Sequence, residues 1–375
     1  MMHTAMPRVG DSVAAVDTPA LVIDLDAMER NISTMAAFAA RHRVALRPHA
    51  KLHKCADIAK MQIAAGAAGV CVQKLSEAEA LVGAGLTDIY ISNEIVDSGK
   101  LARFADLAQR ASLSIAVDSD LGIHRLAQAL KRVGSEATVF VEIDVGQGRC
   151  GVPAASAGRL AHLVISGGLK FGGLQAYHGR AQHLRGAQER RLAIGHAVGL
   201  IRAAQASITS SGMVCPIVTG GGTGCVAIEA ATGIYDELQV GSYLFMDRDY
   251  AANEESPEGL RFEHALFVKS QVMSRGQAHA VIDAGHKSHA IDSGPPLAWR
   301  RDLEFVNGGD EHGILLNLPH GQADALPQLG DTVWLVPGHC DPTVNLHDFY
   351  VAVRGGIQHG VVESVWPVHS RGCVS

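Results

Sequence analysis

Between residues 44 and 242, short apolar runs alternate with alanine- and leucine-rich segments of helical period, and few folds accommodate that order. The runs are Val44–His49, Gly69–Gln73, Asp88–Ser92, Leu113–Asp118, Thr138–Val145, Phe171–Tyr177, Pro216–Thr219 and Leu238–Ser242. Apolar strands separated by crossover helices build a parallel sheet covered on both faces. Eight of them predict a (β/α)8 TIM barrel, and the segment is close to the ~250 residues usual for that fold. A doubly wound open sheet would place G-x-G-x-x-G after the first strand, and no such turn follows it.

An earlier run, Ala20–Leu25, opens on Pro19 and reads as a strand belonging to either half of the chain. Asp26 is expected to cap a helix reaching about His42, with Met28, Ile32, Met35 and Phe38 on its apolar face. Past Tyr250 the texture changes. A polar, turn-rich stretch at 251–260 precedes alternating runs at Ala265–Val272, Ala278–Ile282, Gly313–Leu318, Thr332–Val336, Phe349–Val353 and Val361–Trp366. These predict an all-β C-terminal domain. The expected division is a barrel over 26–250 and a β-domain from 1–25 plus 251–375.

Composition removes several function classes. A net charge of −6 disfavours nucleic acid and anionic membrane as partners. No apolar run approaches the ~20 residues of a membrane span. The segment Met1–Asp17 lacks the basic-then-apolar order of a signal peptide, and the seven scattered cysteines contain no C-x-x-C pair, which points to a reducing cytoplasm. Nineteen histidines favour metal or acid–base chemistry.

Barrel chemistry gathers where strands end. Those positions hold Lys51, Gln73, Asn93, Asp118, Arg149, Tyr177, a glycine loop and Ser242. Singly each is an ordinary polar loop residue; jointly they suggest one rim. Lys51 lies in the basic stretch Arg47-Pro48-His49-Ala50-Lys51-Leu52-His53-Lys54, whose charges are expected to lower its amine pKa towards Schiff-base chemistry. The loop Thr219-Gly220-Gly221-Gly222-Thr223-Gly224 follows the seventh barrel run, where such enzymes bind phosphate. A lysine and a phosphate cup on neighbouring strands of a closed ring suggest pyridoxal 5'-phosphate.

A second signal is Pro337-Gly338-His339-Cys340-Asp341-Pro342-Thr343. In an extended segment His339 and Asp341 share a face while Cys340 points away. Imidazole with carboxylate suits Mn²⁺, Mg²⁺ or Zn²⁺. Asp310-Glu311-His312 is a second candidate cluster.

Arg-Pro-His-Ala-Lys-x-His-Lys at 47–54, Val-Glu-Ile-Asp-Val-Gly-x-Gly-Arg-Cys-Gly at 141–151, Gly-Gly-Gly-Thr-Gly at 220–224, Asp-Glu-His-Gly at 310–313 and His-x-Asp-Pro-Thr at 339–343 occur in one order. In these motifs the chain resembles the metal-activated D-threonine aldolases, fold-type III pyridoxal phosphate enzymes with an alanine-racemase-like barrel and a β-domain. The resemblance runs from about Asp17 to Arg371. It implies that Lys51 carries the cofactor covalently and that Arg149 binds its phenolic oxygen. Gln73 and Tyr177 would line its ring and phosphate. Gly221, Gly222 and Thr223, with Ser242 and Tyr243, would hold the phosphate. His339 and Asp341 would hold a divalent metal, Mn²⁺ first, and His183 would take the β-hydroxyl proton. The implied reaction is retro-aldol cleavage of D-threonine and other D-3-hydroxy-amino acids to glycine and an aldehyde, in a homodimer whose second subunit completes the site.

Three alternatives stand beside it: a D-3-hydroxyaspartate aldolase, with Arg180, Arg185 or Arg248 receiving the second carboxylate; a D-serine or D-3-hydroxyaspartate dehydratase, a group that tends to carry His-x-Cys; and a non-enzymatic cofactor carrier. Because His339 and Asp341 lie far from Lys51 in sequence, metal and cofactor are expected to bind independently.

Overall fold

A computed structural model describes residues 6–255, 260–318 and 326–375. Residues 1–5 of the N-terminal segment and 256–259 of the turn-rich stretch lie outside the described residues. The strand β1 (Ala20–Asp24) leads into helix α1 (Leu25–His42). The side chain of Asp24, not Asp26, caps this helix by accepting from Ala27 N at 3.1 Å. Asp26, in the first turn, accepts from Arg354 Nη1 at 2.9 Å and Gly355 N at 2.8 Å, which ties α1 to the second sheet. The apolar face is the expected one, with Met28, Ile32, Met35 and Phe38 buried.

Eight parallel strands follow: β2 (Ala45–Leu46), β3 (Val70–Val72), β4 (Asp88–Ile91), β5 (Ser112–Val117), β6 (Thr138–Glu142), β7 (Lys170–Ala176), β8 (Ile217–Gly220) and β9 (Glu237–Leu238). Their order is β2-β9-β8-β7-β6-β5-β4-β3. Bonds from Ala68 N to Leu46 O, Cys71 N to Pro48 O and Ala50 N to Cys71 O, at 2.7–2.8 Å, join the two ends. The sheet is therefore a closed barrel. The run Val44–His49 is shorter as a regular strand because Pro48 has no N–H for the ladder. It still bonds to the β9 side through Ala45, Arg47 and His49 N–H groups.

The second sheet contains β1 and the strands β10 (Leu266–Arg275), β11 (His279–Ile282), β12 (Leu297–Ala298), β13 (Leu303–Asn307), β14 (Gly313–Asn317), β15 (Thr332–Val336), β16 (Phe349–Arg354) and β17 (Val361–Pro367). β1 pairs antiparallel with β10 and parallel with β16, so the ambiguous first strand joins this sheet and not the barrel. Sequence reading missed β12 and β13. β12 has two residues, too few to show a period, and β13 follows a charged turn.

Inside the barrel a small apolar layer of Cys71, Tyr90, Ala116 and Phe140 meets a polar chain. Arg47 bonds Glu237 at 2.9 Å and Asp88 at 2.6 Å. Thr219 Oγ1 donates to Glu237, Gln239 Nε2 donates to Thr219 and to Gln175 Oε1, and Tyr90 Oη donates to Gln175 Oε1, all at 2.7–2.9 Å. Buried polar groups joined in this way hold one another in fixed rotamers. Gln175 and Gln239 at the top of this chain form the floor of the cavity above.

Candidate active site

The cavity opens at the C-terminal ends of the barrel strands and spans about 730 Å³ when its open mouth is included. Lys51, Gln73, Arg149, Tyr177, His183, Gly221, Gly222, Thr223, Ser242, His339 and Asp341 all line it. Asn93 and Asp118 do not. Asn93 donates to Gln73 O, and Asp118 accepts from Gly151 N, so both serve loop structure.

Alternate residues after β2 climb the barrel interior. Arg47 is held in the ion pairs below, His49 Nε2 lies 2.9 Å from Gln73 Nε2, and Lys51 reaches the cavity. The expected cationic surroundings of Lys51 are absent. Burial, then the charge of Lys51, pushes the His49 pKa well below its ordinary value, and burial pushes His53 down to about 4. Lys54 is buried against Glu77 in an ion pair outside the cavity. Burial alone would lower the Lys51 pKa, but Asp341 and Tyr177 outweigh it and raise the amine above its ordinary value. Lys51 Nζ is 3.7 Å from Asp341 Oδ1.

The loop after β6 is folded by its own carboxylate. Asp144 Oδ1 accepts from Gly146 N at 2.9 Å and Gly148 N at 3.0 Å. That turn presents Arg149, whose guanidinium carbon lies 5.7 Å from the centre of the Tyr177 ring.

After β8, Gly221 has φ +79°, and a Cβ at Gly222 would come within 2.7 Å of Gln182. Only glycine fits this curve of backbone. The N–H groups of Gly221, Thr223 and Ser242 have no protein acceptor among the described residues, as an anion cup requires. Gly222 differs: its N–H donates to Glu229 Oε2 at 2.9 Å, so it contributes shape and no donor. Burial raises the Glu229 carboxyl to about 7. Tyr243 also departs from expectation. Its phenol turns into the barrel wall and accepts from Gln62 Nε2 at 2.9 Å, while its backbone N–H donates to Thr223 Oγ1 at 3.0 Å.

His339 and Asp341 converge, though not on a strand. His339 precedes a one-turn helix, Cys340–Val344, which tolerates Pro342 in its first turn. His339 Nε2 is 3.6 Å from Asp341 Oδ2, and His339 Nδ1 donates to Asp292 Oδ2 at 2.7 Å. Cys340 is buried outside the cavity, and burial keeps its thiol protonated. The cluster at 310–312 lies on the surface: Asp310 pairs with His286 and Lys287, and Glu311 pairs with Lys287. Among the described residues, one set of three potential ligands lies close together, Cys55, Asp57 and His369. There His369 Nδ1 accepts from Ala56 N at 3.2 Å, at the start of helix Ala56–Ala64, so the set caps a helix.

Residues 23–249 match the alanine racemase N-terminal domain, and 265–353 match the putative serine dehydratase domain. The chain is 47% identical over 371 residues to a D-threonine aldolase of an Arthrobacter species, covering 97% of this chain and 95% of that one. It is 40% identical to a 3-hydroxy-D-aspartate aldolase of Paracoccus denitrificans, covering 98% and 95%. The crystal structure of D-threonine aldolase from Filomicrobium marinum superposes with a TM-score of 0.95 at 46% identity, over 99% of this chain and 100% of that one. The chain belongs to the D-threonine aldolase / D-serine dehydratase family.

Membership in this fold-type III family implies pyridoxal phosphate, and the residues fit it. A lysine at a strand end, a glycine curve with free N–H groups, an arginine on a tyrosine face and a buried His49 Nδ1 without a partner among the described residues all border one cavity. The imidazole–carboxylate pair fits a divalent ion, with Asp292 fixing the ligand tautomer as carboxylates do around metal sites. Sequence reading missed Ser92, Gln175, Gln239 and Tyr250, which also line the cavity. Gln175 and Gln239 fall inside apolar runs and not at their ends, and Tyr250 follows no motif. Among the described residues no helix is long and apolar enough to cross a membrane.

Proposed function

We propose that this chain is a pyridoxal 5'-phosphate- and divalent-metal-dependent D-threonine aldolase, cleaving D-threonine to glycine and acetaldehyde and accepting other D-3-hydroxy-amino acids. The observation that carries the reading is that Lys51, the glycine cup and the His339–Asp341 pair border one cavity of one chain. Pyridoxal phosphate supplies an electron sink for the Cα–Cβ pair, and the divalent ion supplies a Lewis acid for the β-hydroxyl.

The side chains would divide the remaining work. Lys51 would hold the cofactor covalently, and Arg149, backed by Tyr177, would face its phenolic oxygen. Gln73, held by His49 and Ser92, would line the ring. Gly221, Thr223 and Ser242 would offer N–H groups to the phosphate, with Gly222 shaping the loop. His339 and Asp341 would hold the ion, Mn²⁺ first, with Mg²⁺ and Zn²⁺ suiting the same donors. His183, whose Nε2 has no protein partner among the described residues, would take the hydroxyl proton.

The identity to the Paracoccus enzyme favours a second reading, a D-3-hydroxyaspartate aldolase. Against it, Arg185 is bound to Asp249 and Asn253, and Arg248 donates to Pro295 O. Arg180 is exposed and off the cavity. The buried Cys340 weighs against a dehydratase with a His–Cys ligand set, and a carrier would need no metal pair. We further propose the division into a barrel over 26–250 and a β-domain from 1–25 plus 251–375, a cytoplasmic location and a homodimer. The metal pair comes from the same chain as Lys51, so a partner subunit would wall the cavity and not supply its ligands. Purified protein with pyridoxal phosphate and Mn²⁺, assayed on D-threonine, D-3-hydroxyaspartate and D-serine, tests the reading. Acetaldehyde and glycine from D-threonine are expected; keto acids and ammonia would move the chain to the dehydratases.

A further inference from the structure

Three histidines border the cavity, and two of them, His339 and His183, are anchored the same way. His339 Nδ1 lies 2.7 Å from Asp292 Oδ2, and His183 Nδ1 lies 2.6 Å from Asp249 Oδ2. A carboxylate oxygen only accepts, so in each neutral ring the proton sits on Nδ1 and the lone pair on Nε2. Their surroundings then differ. His339 Nε2 has the Asp341 carboxylate 3.6 Å away, which suits a cation, whereas His183 Nε2 has no carboxylate partner among the described residues. We propose that Asp249 is a positioning residue that locks His183 in the Nδ1–H tautomer and aims Nε2 at the substrate hydroxyl.

Asp249 is itself held by Arg185 and by its backbone. Arg185 pairs with its Oδ1, and the His183 ring packs against Tyr250 at 5.1 Å between centres. Its backbone lies in the one-turn helix Arg248–Ala251, which is stitched to the approach to His339. Arg248 N donates to Pro337 O at 3.0 Å, Asp249 N to Gly338 O at 3.2 Å, and Cys340 N to Asp247 Oδ2 at 3.1 Å. The dyad and the His339–Asp341 pair are thus placed by one set of hydrogen bonds, two between backbone groups and one through the Asp247 side chain. Burial would raise the Asp249 carboxyl, but Arg185 and His183 outweigh it and keep it below its ordinary value, so it is an acceptor throughout the working range.

The inference rests on His183 being the base, and the test separates the two. The holoenzyme is prepared with ¹⁵N-histidine and Mg²⁺, and long-range proton–nitrogen spectra identify the tautomer of His183, assigned by its loss in His183→Ala. D-threonine kinetics are measured beside it. Asp249→Asn should lose the Nδ1–H signature and lower kcat on the order of 10²-fold, with KM little changed. Bound-cofactor absorbance and metal content should stay unchanged, and Asp249→Glu should recover part of kcat. Should Asp249→Asn fail to hold cofactor, Asp249→Glu against wild type carries the comparison of tautomer and kcat. An unchanged Nδ1–H signature in Asp249→Asn, or a kcat within twofold of wild type, would overturn the proposal. Full turnover by His183→Ala would overturn the base reading instead, and it is recognised by leaving the Asp249→Asn tautomer change intact.

Discussion

Lys51 Nζ stands 3.7 Å from Asp341 Oδ1, so the lysine of the barrel and a carboxylate carried beyond the second sheet's β15 meet in one cavity. Distance in sequence predicts that metal and cofactor bind independently. The contact sets Asp341, the proposed metal ligand, in the same cavity as Lys51 and against its own barrel.

Lys51 and Lys54 are separated by burial and partner. Lys51→Ala should abolish the visible absorbance of bound pyridoxal phosphate. Lys54→Met should keep it, while costing ~3–5 kcal/mol of stability by leaving Glu77 buried without its cation. Borohydride-reduced protein read by mass spectrometry should carry the pyridoxyl group on Lys51; finding it on Lys54 would reverse the assignment.

Tyr243 should matter to the barrel wall and not to the cofactor. Tyr243→Phe removes the oxygen that accepts from Gln62 Nε2, at a cost of ~1 kcal/mol, with cofactor affinity unchanged. A tenfold loss of affinity in equilibrium titration would restore the phenol to the phosphate site.

Glu142 gives a pH dependence of definite sign. Burial first, and the charge of Glu94 second, hold its carboxyl far above the ordinary 4.5. Above that value the unfolded chain releases a proton that the folded protein keeps, so this group erodes stability as pH rises towards its folded pKa. Glu142→Gln is neutral at every pH. It should therefore flatten the fall of Tm between about pH 5 and pH 8 and raise Tm at the upper end by about 2–4 °C. A variant whose Tm falls as steeply as wild type over that interval would contradict the assignment.

The engagement of Arg185 and Arg248 predicts that D-threonine exceeds D-3-hydroxyaspartate in kcat/KM. The reverse order, together with loss of the second activity in Arg180→Ala, would show that the exposed arginine moves in to bind a second carboxylate.

Much of this was legible because it rests on chain order. The alternation of apolar runs and helices reports the barrel, and the motifs around Lys51, Arg149, the glycine loop and His339 fall where strands end. What escaped depends on direction in space. The Ser242–Leu244 turn is a tight helix, which swings the Tyr243 ring away from the neighbouring glycines. Asp24 caps α1 because the chain leaves β1 one residue sooner than the apolar run suggests. Gln175, Gln239 and Tyr90 bond across the barrel interior, a relation that no spacing along the chain records. The basic stretch at 47–54 looked like one patch of charge, yet alternate residues face different layers and meet carboxylates or lose their protons.

The joint site is tested most directly by following D-threonine turnover and bound-cofactor absorbance together in wild type and Asp341→Ala. A threonine hydroxyl is a poor acid, and coordination is what brings its proton within reach of an imidazole. Chelator should stop turnover by wild type while cofactor absorbance persists, and Mn²⁺ should restore it. Asp341→Ala should keep the cofactor, bind little metal and stay at least ~10²-fold slower after Mn²⁺ is added. Full recovery of Asp341→Ala on adding Mn²⁺ would contradict the assignment of Asp341 as a metal ligand beside Lys51.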